Sequence, residues 1–286
     1  MKVLVTGVKG QLGYDVVKRL SDLKIDNKGI DIEDCDLTNA EQTIAIISAY
    51  RPDCVVHCAA YTAVEKAETN IDLCRNVNVG GARNVALACK QLNATMVYIS
   101  TDYVFPGDGE RAYEVDDPKG PLSVYGKTKY EGEQMVQELV SKHFIIRTSW
   151  VFGFNGNNFV KTMLRLGKEK AQITVVDDQI GSPTYTPDLA RLICDMLQTE
   201  CYGVYHATNE GLCSWFDFAA AIMKQAGLPC KVVPVSTAEY NAGVRRPLNS
   251  RLSKRSLTES GFARLPTWQD ALGRYLAETH ATASNR

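Results

Sequence analysis

The stretch K2-VLVTGVKGQL-G13, residues 2–13, decides the fold. An apolar run at residues 2–6 leads into a GxxGxxG spacing, and residues 11–23 continue with apolar positions at helical intervals. In a first strand–turn–helix unit, such glycines allow a tight turn, close approach of the backbone to a diphosphate, and helix packing on the sheet. The free N–H groups of the helix N-terminus favour phosphate. A tight turn without a ligand is the alternative. The predicted cofactor contacts here are Gly7, Gly10, Gln11, Leu12 and Gly13.

Beyond this unit, short β-branched runs alternate with helical patterns. The predicted strands are residues 2–6, 54–58, 95–100 and 143–147, and the predicted helices are 11–23, 40–50, 73–92 and 124–140. Continuous apolar strands between helices indicate an α/β fold with a doubly wound parallel sheet of the Rossmann type. We expect residues 1–150 to form this dinucleotide-binding domain, completed by segments near 173–206. Residues 151–286 form a smaller C-terminal substrate-binding lobe, interleaved with the sheet.

Composition restricts the class of protein. The net charge of −1 gives no reason to expect nucleic acid or an anionic membrane as a partner. The nine cysteines include no CxxC pair, which is typical of reduced thiols in a reducing compartment. The chain starts in a strand-like run, without a signal-peptide pattern or an apolar stretch long enough to span a bilayer. We therefore predict a cytoplasmic protein. The four histidines form no HxxxH pair, and we predict no metal site.

A further short strand-like run, between the helical patterns at 11–23 and 40–50, ends near Asp31, and the acidic residues there bear on the adenosine half of a dinucleotide. At the end of such a strand a carboxylate can bind the ribose 2′-OH and favour NADH. Lys9, in the glycine loop, could instead attract the 2′-phosphate of NADPH, so the preference between the two stays open. Asp36 and Leu37 are placed to meet the adenine. Each of these residues could equally belong to an ordinary surface turn.

The segment YGKTK places Tyr125 and Lys129 four residues apart at a helix start, and hence on one helix face. A free phenol has a pKa of about 10, and a nearby ammonium is expected to lower it. Tyr125 could then give a proton to a carbonyl oxygen, while Lys129 also holds the nicotinamide ribose. Thr101 ends a predicted strand, where it can hydrogen-bond the reacting oxygen. A surface pair is the alternative for the tyrosine and lysine.

Together with the glycine loop, the motifs CAAYTAVEKAE, STDYVF, PLSVYGKTKYEGE, RTSWVFG, GNNFVKTM and RPLNSRL resemble the dTDP-4-dehydrorhamnose reductase family of extended short-chain dehydrogenases. The resemblance covers nearly the whole chain. It implies reduction of the C4 keto group of dTDP-4-dehydro-L-rhamnose, with NADPH or NADH, to give dTDP-L-rhamnose for polysaccharide precursors. The implied partner is this small-molecule nucleotide-sugar.

The same resemblance implies roles for particular residues. Tyr125 would be the proton donor, Lys129 its partner, and Thr101 the hydroxyl that completes the triad. Further cofactor contacts would be Ala60, Tyr61, Thr62 and Ile99. The substrate contacts would be Thr101, Asp102, Trp150, Asn158 and Arg246. A core position for Trp150 and a solvated turn for Arg246 are the alternatives from the residues themselves. Many members carry histidine where Tyr61 stands, and we expect only a local adjustment there.

Other functions remain open at this point. One is another nucleotide-sugar reductase, an epimerase or a dehydratase on the same scaffold. Dehydratases add a glutamate beside the catalytic threonine, whereas Thr101 is followed by Asp102-Tyr103. Another is a non-catalytic NAD(P)-binding regulatory subunit, which the retained Thr101, Tyr125 and Lys129 argue against. Some members of the family dimerise, in certain cases around a metal ion, so a homodimer is a further open alternative.

Overall fold

The computed structural model describes residues 1–240 and 245–284, and a six-stranded parallel sheet runs through its first part. The strands of this sheet are β1 (Lys2–Thr6), β2 (Asp26–Ile30), β3 (Cys54–His57), β4 (Thr95–Thr101), β5 (His143–Thr148) and β10 (Gly203–His206). Their order in space is β10-β5-β4-β3-β1-β2, and every neighbouring pair is parallel. The predicted fold class is therefore confirmed.

Helices cover both faces of the sheet because its central strands are apolar on both sides. The helices are α1 (Gln11–Asp22), α2 (Ala40–Tyr50), α3 (Val64–Ala67), α4 (Ile71–Arg75), α5 (Ala82–Leu92), α6 (Val124–Leu139), α7 (Phe159–Glu169), α8 (Thr186–Met196), α9 (Trp215–Gln225), α10 (Thr237–Tyr240), α11 (Arg255–Glu259) and α12 (Trp268–Ser284). Helices α1 and α8 share one buried core with β1 and β5, and α2, α5 and α6 share another on the opposite face. Burial of these aliphatic side chains is the main stabilising contribution.

The strand order reverses its direction at β1, which lies between β2 and β3. In a doubly wound sheet, a crevice opens at such a point, outside the carboxyl ends of the strands. The glycine turn follows β1 directly, and the segment after β3 lies beside it. The topology therefore fixes where a ligand can enter before any side chain is considered.

The predicted helix at 73–92 differs from the structure. Helix α4 begins at Ile71, and a π-helical segment, Asn76–Gly81, separates it from α5. The side chain of Asn78, in this segment, accepts from the Tyr61 N–H at 2.8 Å and donates to the Tyr61 carbonyl at 3.2 Å. π segments of this kind are frequent at functional sites, and this one lies beside the crevice.

The second half adds a separate apolar core built on α7, α9 and α12. Its short strands are β6 (Val151–Phe152), β7 (Gln172–Val176), β8 (Ile180–Gly181), β9 (Thr184–Tyr185), β11 (Cys213–Ser214) and β12 (Lys231–Val235). They pair as β6-β9, β12-β7 and β11-β8. The stretch VVDDQIGSPTYTP, residues 175–187, has the composition of a loop, but β8, β9 and the start of α8 lie there, because the partners of these strands come from distant segments.

Three general features accompany this fold. All nine cysteines are free thiols. None of the helices described is both long and apolar enough to cross a bilayer. Across residues 1–240 and 245–284, no group of three or more His, Cys, Asp or Glu side chains could hold a metal ion.

Candidate active site

The glycine turn after β1 is shaped for close approach by a ligand. Gly7 has a φ of +71°, which glycine adopts at little cost, and its N–H donates to the carbonyl of Ile30 at 2.9 Å. A Cβ on Gly13 would overlap the carbonyl of Gly7, so α1 starts directly against the turn. No side chain at Gly10 caps the first N–H groups of α1. These groups fit the diphosphate of a dinucleotide.

A cavity of roughly 840 Å³ extends from this turn along the carboxyl ends of the strands. Its volume is within the range of sites for cofactors and small substrates. Most of the residues predicted for the site share its wall: Gly7, Gly10, Gln11, Leu12, Gly13, Asp31, Asp36, Leu37, Ala60, Thr62, Ile99, Thr101, Asp102, Tyr125, Lys129 and Trp150. These residues therefore meet in one cavity although they come from separate segments of the chain.

Tyr125, Lys129 and Thr101 converge at the end of the cavity away from the glycine turn. The side chain of Ser123 caps α6 by accepting from the Gly126 N–H at 3.1 Å, which fixes Tyr125 in the first turn. Lys129 follows one turn later and is only 3% exposed. Its Nζ lies 4.1 Å from the centre of the Tyr98 ring. The end of β4 brings Thr101 to the same place.

Burial governs the charge states of this group. It raises the pKa of Tyr125 above the ordinary value of a phenol, and a hydrogen bond with Thr101 opposes that rise only in part. This direction is opposite to the lowering that the sequence predicts, because spacing shows the neighbour but not the loss of water. Burial also lowers the pKa of Lys129 to about 7. Tyr125 is therefore protonated at neutral pH, as a proton donor must be.

Asp102 lies beside this group and is also buried. Its carboxylate accepts from the hydroxyls of Thr101, at 2.9 Å, and Ser250, at 2.5 Å. Burial raises the pKa of Asp102 to about 6, against the opposing effect of those hydroxyls. The sequence did not suggest Ser250, although it lies in the RPLNSRL motif. Its contact depends on a loop that returns 148 residues later in the chain.

The raised pKa of Asp102 predicts a pH-dependent difference in stability. The folded protein holds this proton more tightly than the unfolded chain, so its stabilisation is present below pH 4 and is lost as pH rises through 6. An asparagine side chain at this position would mimic the protonated carboxyl. Asp102→Asn is therefore expected to gain roughly 2 kcal/mol in unfolding free energy relative to wild type between pH 4 and pH 7. Urea unfolding at both pH values measures the gain, with Asp22→Asn as the charge control; a gain that does not change with pH would contradict it.

The opposite end of the cavity is acidic. Asp31 Oδ2 accepts from the Lys9 backbone N–H at 2.7 Å, which places its carboxylate at the turn. The Lys9 ammonium already has a partner, because its Nζ forms an ion pair with Glu33 at 2.6 Å. Asp36 bonds the N–H and the hydroxyl of Thr38 at 2.9 and 2.8 Å. The carboxylates of Asp31 and Asp36 thus belong to the residues that line this end of the cavity.

Three predicted residues are not on the cavity wall. Tyr61 is held by Asn78 through its backbone. Asn158 caps α7 and donates to Gln11 Oε1 at 3.1 Å, while the adjacent Asn157 faces the cavity. Arg246 pairs with Glu65 at 2.5 Å. Its Nε finds no hydrogen-bond partner among the described residues.

An aromatic pair that the sequence did not indicate forms part of the wall. Trp150 stacks on Trp215 with ring centres 3.8 Å apart and an angle of 14°. Trp150 also has a φ of +50°, uncommon for a non-glycine residue. The Ser214–Asp217 capping box starts α9 at Trp215. That box is visible in the sequence, but its packing against Trp150 is not.

The fold and this site together define a class of protein. The structure has a doubly wound sheet, a glycine turn at its reversal point, and a cavity wall that holds a half-buried tyrosine, a buried lysine one helical turn later, and a threonine. These features constitute an oxidoreductase site of the extended short-chain dehydrogenase type.

Comparisons with known proteins define the family more closely. The model of the RmlD substrate binding domain matches residues 1–281, and the chain belongs to this family. The chain is 41% identical to the spore coat polysaccharide biosynthesis protein SpsK of Bacillus subtilis, covering 97% of each. It is 39% identical to dTDP-4-dehydrorhamnose reductase of Aggregatibacter actinomycetemcomitans, covering 95% of this chain and 97% of that one. A structure of dTDP-4-dehydrorhamnose reductase from Bacillus anthracis in complex with NADP matches with a TM-score of 0.95 and 46% identity, covering 97% of this chain and 99% of that one.

Proposed function

We propose that the protein reduces the C4 keto group of dTDP-4-dehydro-L-rhamnose, with NADPH or NADH as the reductant, and releases dTDP-L-rhamnose. The observation that carries this proposal is the single cavity that joins the glycine turn to Tyr125, Lys129 and Thr101. Its two ends fit the two halves of a dinucleotide, and a polar group suited to a carbonyl lies at the nicotinamide end. The sugar specificity follows from the family and from the relatives named above.

The bound dinucleotide supplies the hydride that reduces the keto carbon. The chain itself supplies the binding and the proton. The glycine turn and the N-terminus of α1 hold the diphosphate, and Asp31, Asp36 and Leu37 line the adenosine end. Ala60, Thr62 and Ile99 lie between the two ends and hold the dinucleotide against the sheet. The backbone of Tyr61, fixed by Asn78, supports that segment.

Tyr125 gives its proton to the C4 oxygen as negative charge develops there. Lys129 stabilises the phenolate that remains and holds the nicotinamide ribose. Thr101 orients the same oxygen through its hydroxyl. Thr101 and Lys129 are buried and Tyr125 is half-buried, and this low exposure to water strengthens these interactions.

The substrate occupies the side of the cavity formed by Asp102, Trp150 and Asn157. Trp150 offers a planar surface to the sugar, and Asp102 accepts from sugar hydroxyls. Asn158 acts from behind this wall by holding Gln11 and the start of α7. Arg246 lies in the segment that also carries Ser250, and we assign its guanidinium, which pairs with Glu65, to the substrate diphosphate on the strength of the family resemblance. We assign residues 151–286 mostly to a substrate-binding lobe on this basis.

The direct test is turnover with purified protein. NADPH or NADH oxidation is followed at 340 nm with dTDP-4-dehydro-L-rhamnose, and the product configuration at C4 is determined by NMR. We expect oxidation that depends on the sugar and yields dTDP-L-rhamnose. The unepimerised dTDP-4-keto-6-deoxy-D-glucose serves as the second substrate, and faster turnover with it would indicate a different nucleotide-sugar reductase. Cofactor binding without any oxidation would favour the regulatory subunit instead.

Cofactor preference gives a separate prediction. Asp31→Ala is expected to weaken NADH binding by about tenfold, because a hydrogen bond from the ribose to a charged acceptor is lost. NADPH binding should change less than about threefold, since its 2′-phosphate is repelled by the same carboxylate. Fluorescence titration of both cofactors measures this, with Asp22→Ala as the control at the far end of α1. Equal losses for both cofactors would count against ribose binding at Asp31.

Two wider statements belong to this proposal. The nine free thiols and the nucleotide-linked substrate favour a cytoplasmic location. We also propose that the working partner is the small-molecule substrate rather than nucleic acid or a membrane, and that a homodimer is compatible with the site because every proposed contact comes from one chain.

A further inference from the structure

One buried ion pair lies directly behind the candidate active site. Glu133 is on α6, one turn after Lys129, and its carboxylate receives Nε and Nη2 of Arg147 at 2.9 and 2.7 Å. The Ser100 hydroxyl donates to the same carboxylate at 2.5 Å. The side chains of Glu133 and Arg147 are 1% and 3% exposed. Both charges are therefore withdrawn from water and depend on each other.

Arg147 extends this network to two further segments. Its Nη1 donates to the Val115 carbonyl at 2.9 Å and lies 3.4 Å from His206 Nε2. Its guanidinium carbon lies 5.3 Å from the centre of the Phe105 ring. Ser100 is on β4, Arg147 on β5 and His206 on β10. The carboxylate of Glu133 therefore connects α6 to β4 and β5 directly, and to β10 through Arg147.

The network lies next to two members of the proposed catalytic group, Thr101 on β4 and Lys129 on α6. Successive residues of a strand point to opposite faces, so Ser100 faces Glu133 while Thr101 faces the reacting oxygen. Residues four apart on a helix share one face, so Glu133 and Lys129 lie one turn apart on the same face of α6. A shift of α6 along β4 would break the bonds of Glu133 and would also separate Lys129 from Thr101.

A buried ion pair is an inefficient way to gain stability. Desolvation of both charges offsets most of their attraction, and apolar residues of similar volume would stabilise a core as well or better. The pair does supply geometric restraint, because the guanidinium donates two parallel hydrogen bonds to a carboxylate in one planar orientation. Because the pair lies between α6 and β4, this restraint can keep the helix and the strand of the active site in register.

We propose that Glu133 is a positioning residue of the reductase, which fixes α6 against β4 through Ser100 and Arg147 and so keeps Lys129 in place beside Thr101. This inference rests on the proposed function for its turnover readout. Its cofactor-binding readout depends only on the dinucleotide site.

The surroundings of Lys129 make Glu133 its principal charge partner. Tyr125 lies one helical turn before Lys129 on α6. The titratable groups that face Lys129 are Glu133 from α6, Cys74 from α4, Tyr98 from β4, and His57 and Cys58 at the end of β3. Burial raises the pKa of Cys58 and Cys74 and lowers that of His57, so these groups are neutral near pH 7. Among the effects that favour the ammonium form of Lys129, that of Glu133 is the largest.

The test compares Glu133→Gln with Glu131→Gln, the same substitution on the same helix in a half-exposed pair with Arg75. Glu133→Gln is expected to lower kcat by about 10- to 100-fold with little change in KM, as expected for misplaced catalytic groups. The affinity for NADPH is titrated from pH 6 to 9. In Glu133→Gln it should decline at a pH at least about half a unit lower than in wild type, because Lys129 loses its charge at a lower pH without the carboxylate. Glu131→Gln should match wild type in both measurements. Glu133→Asp should restore the position of the pH decline.

Ser100→Ala keeps the ion pair and removes one bond to β4, so it remains informative if Glu133→Gln fails to fold. We expect kcat to fall about three- to tenfold, corresponding to one lost hydrogen bond. Unchanged kcat and an unchanged pH decline in a folded Glu133 variant or in Ser100→Ala would overturn the inference. A lower melting temperature alone, with both readouts unchanged, would show a purely structural pair and would also overturn it. Absence of turnover in wild type would contradict the proposed function, while the pH dependence of NADPH binding would still decide this inference.

Discussion

Tyr125→Phe is expected to lower kcat by about 10²- to 10⁴-fold, the range that a positioned proton donor contributes. The substitution removes one oxygen and keeps the ring, which packs edge-on against Tyr103 with ring centres 5.5 Å apart. Packing should therefore survive. Because burial keeps the phenol of Tyr125 protonated at neutral pH, the variant loses a proton that is present in every cycle.

The same variant separates chemistry from binding. The dissociation constant for NADPH should change less than about threefold, since the diphosphate is held at the other end of the cavity. Tyr130→Phe is the matched control, because Tyr130 lies on the same helix but packs against a separate apolar cluster. Stopped-flow measurement of NADPH oxidation, together with fluorescence titration, gives both values. A Tyr125→Phe protein that keeps more than a tenth of the wild-type kcat would contradict the assigned role.

Gly13→Ala has the second largest expected effect, and it acts on binding. Its Cβ would overlap the carbonyl of Gly7, which is backbone and cannot turn aside as a flexible side chain could. Either α1 moves away from the turn or the turn opens. Overpacking of this kind costs about 1–3 kcal/mol of stability. The displaced N–H groups should also weaken NADPH binding by about 100-fold or more.

Gly273→Ala provides the control for this change. Gly273 lies in α12, and a Cβ there would meet only the Gln225 side chain at an ordinary 3.6 Å. That variant should be as stable as wild type or gain up to about 1 kcal/mol, the usual gain for glycine to alanine within a helix. Thermal unfolding and NADPH titration test both variants. Wild-type affinity in Gly13→Ala would show that the turn does not hold the diphosphate.

The features that could be predicted from the sequence are those that depend on local spacing. The glycine turn needs three positions within seven residues, and the tyrosine–lysine pair needs one helical turn. The alternation of apolar strands and helices fixes a doubly wound sheet by general rules of connection. For these features the local backbone geometry determines the arrangement, because residues that are near in sequence are also near in space.

The features that could not be predicted depend on contacts between distant segments. Ser250 reaches Asp102 across 148 residues, and Trp215 reaches Trp150 by the packing of α9. Each lies in a stretch whose local pattern suits an ordinary loop or helix start. No periodicity indicates that such a residue faces the cavity.

Charge states form a third group, because they depend on how completely the whole fold excludes water. The sequence showed an ammonium near a phenol and predicted a lowered pKa for Tyr125. In the structure burial dominates and the pKa is raised. The proton-donor role for Tyr125 does not depend on a lowered pKa, since reduction uses the protonated phenol.

The most direct test of the central claim follows one hydrogen from cofactor to sugar. The protein is incubated with dTDP-4-dehydro-L-rhamnose and NADPH that carries deuterium at the transferable C4 position of the nicotinamide, and the product is examined by NMR. We expect dTDP-L-rhamnose with deuterium at C4 of the sugar and none at C3 or C5. Oxidation that leaves sugar C4 unlabelled, or bound NADPH that is never oxidised while the sugar is present, would contradict it.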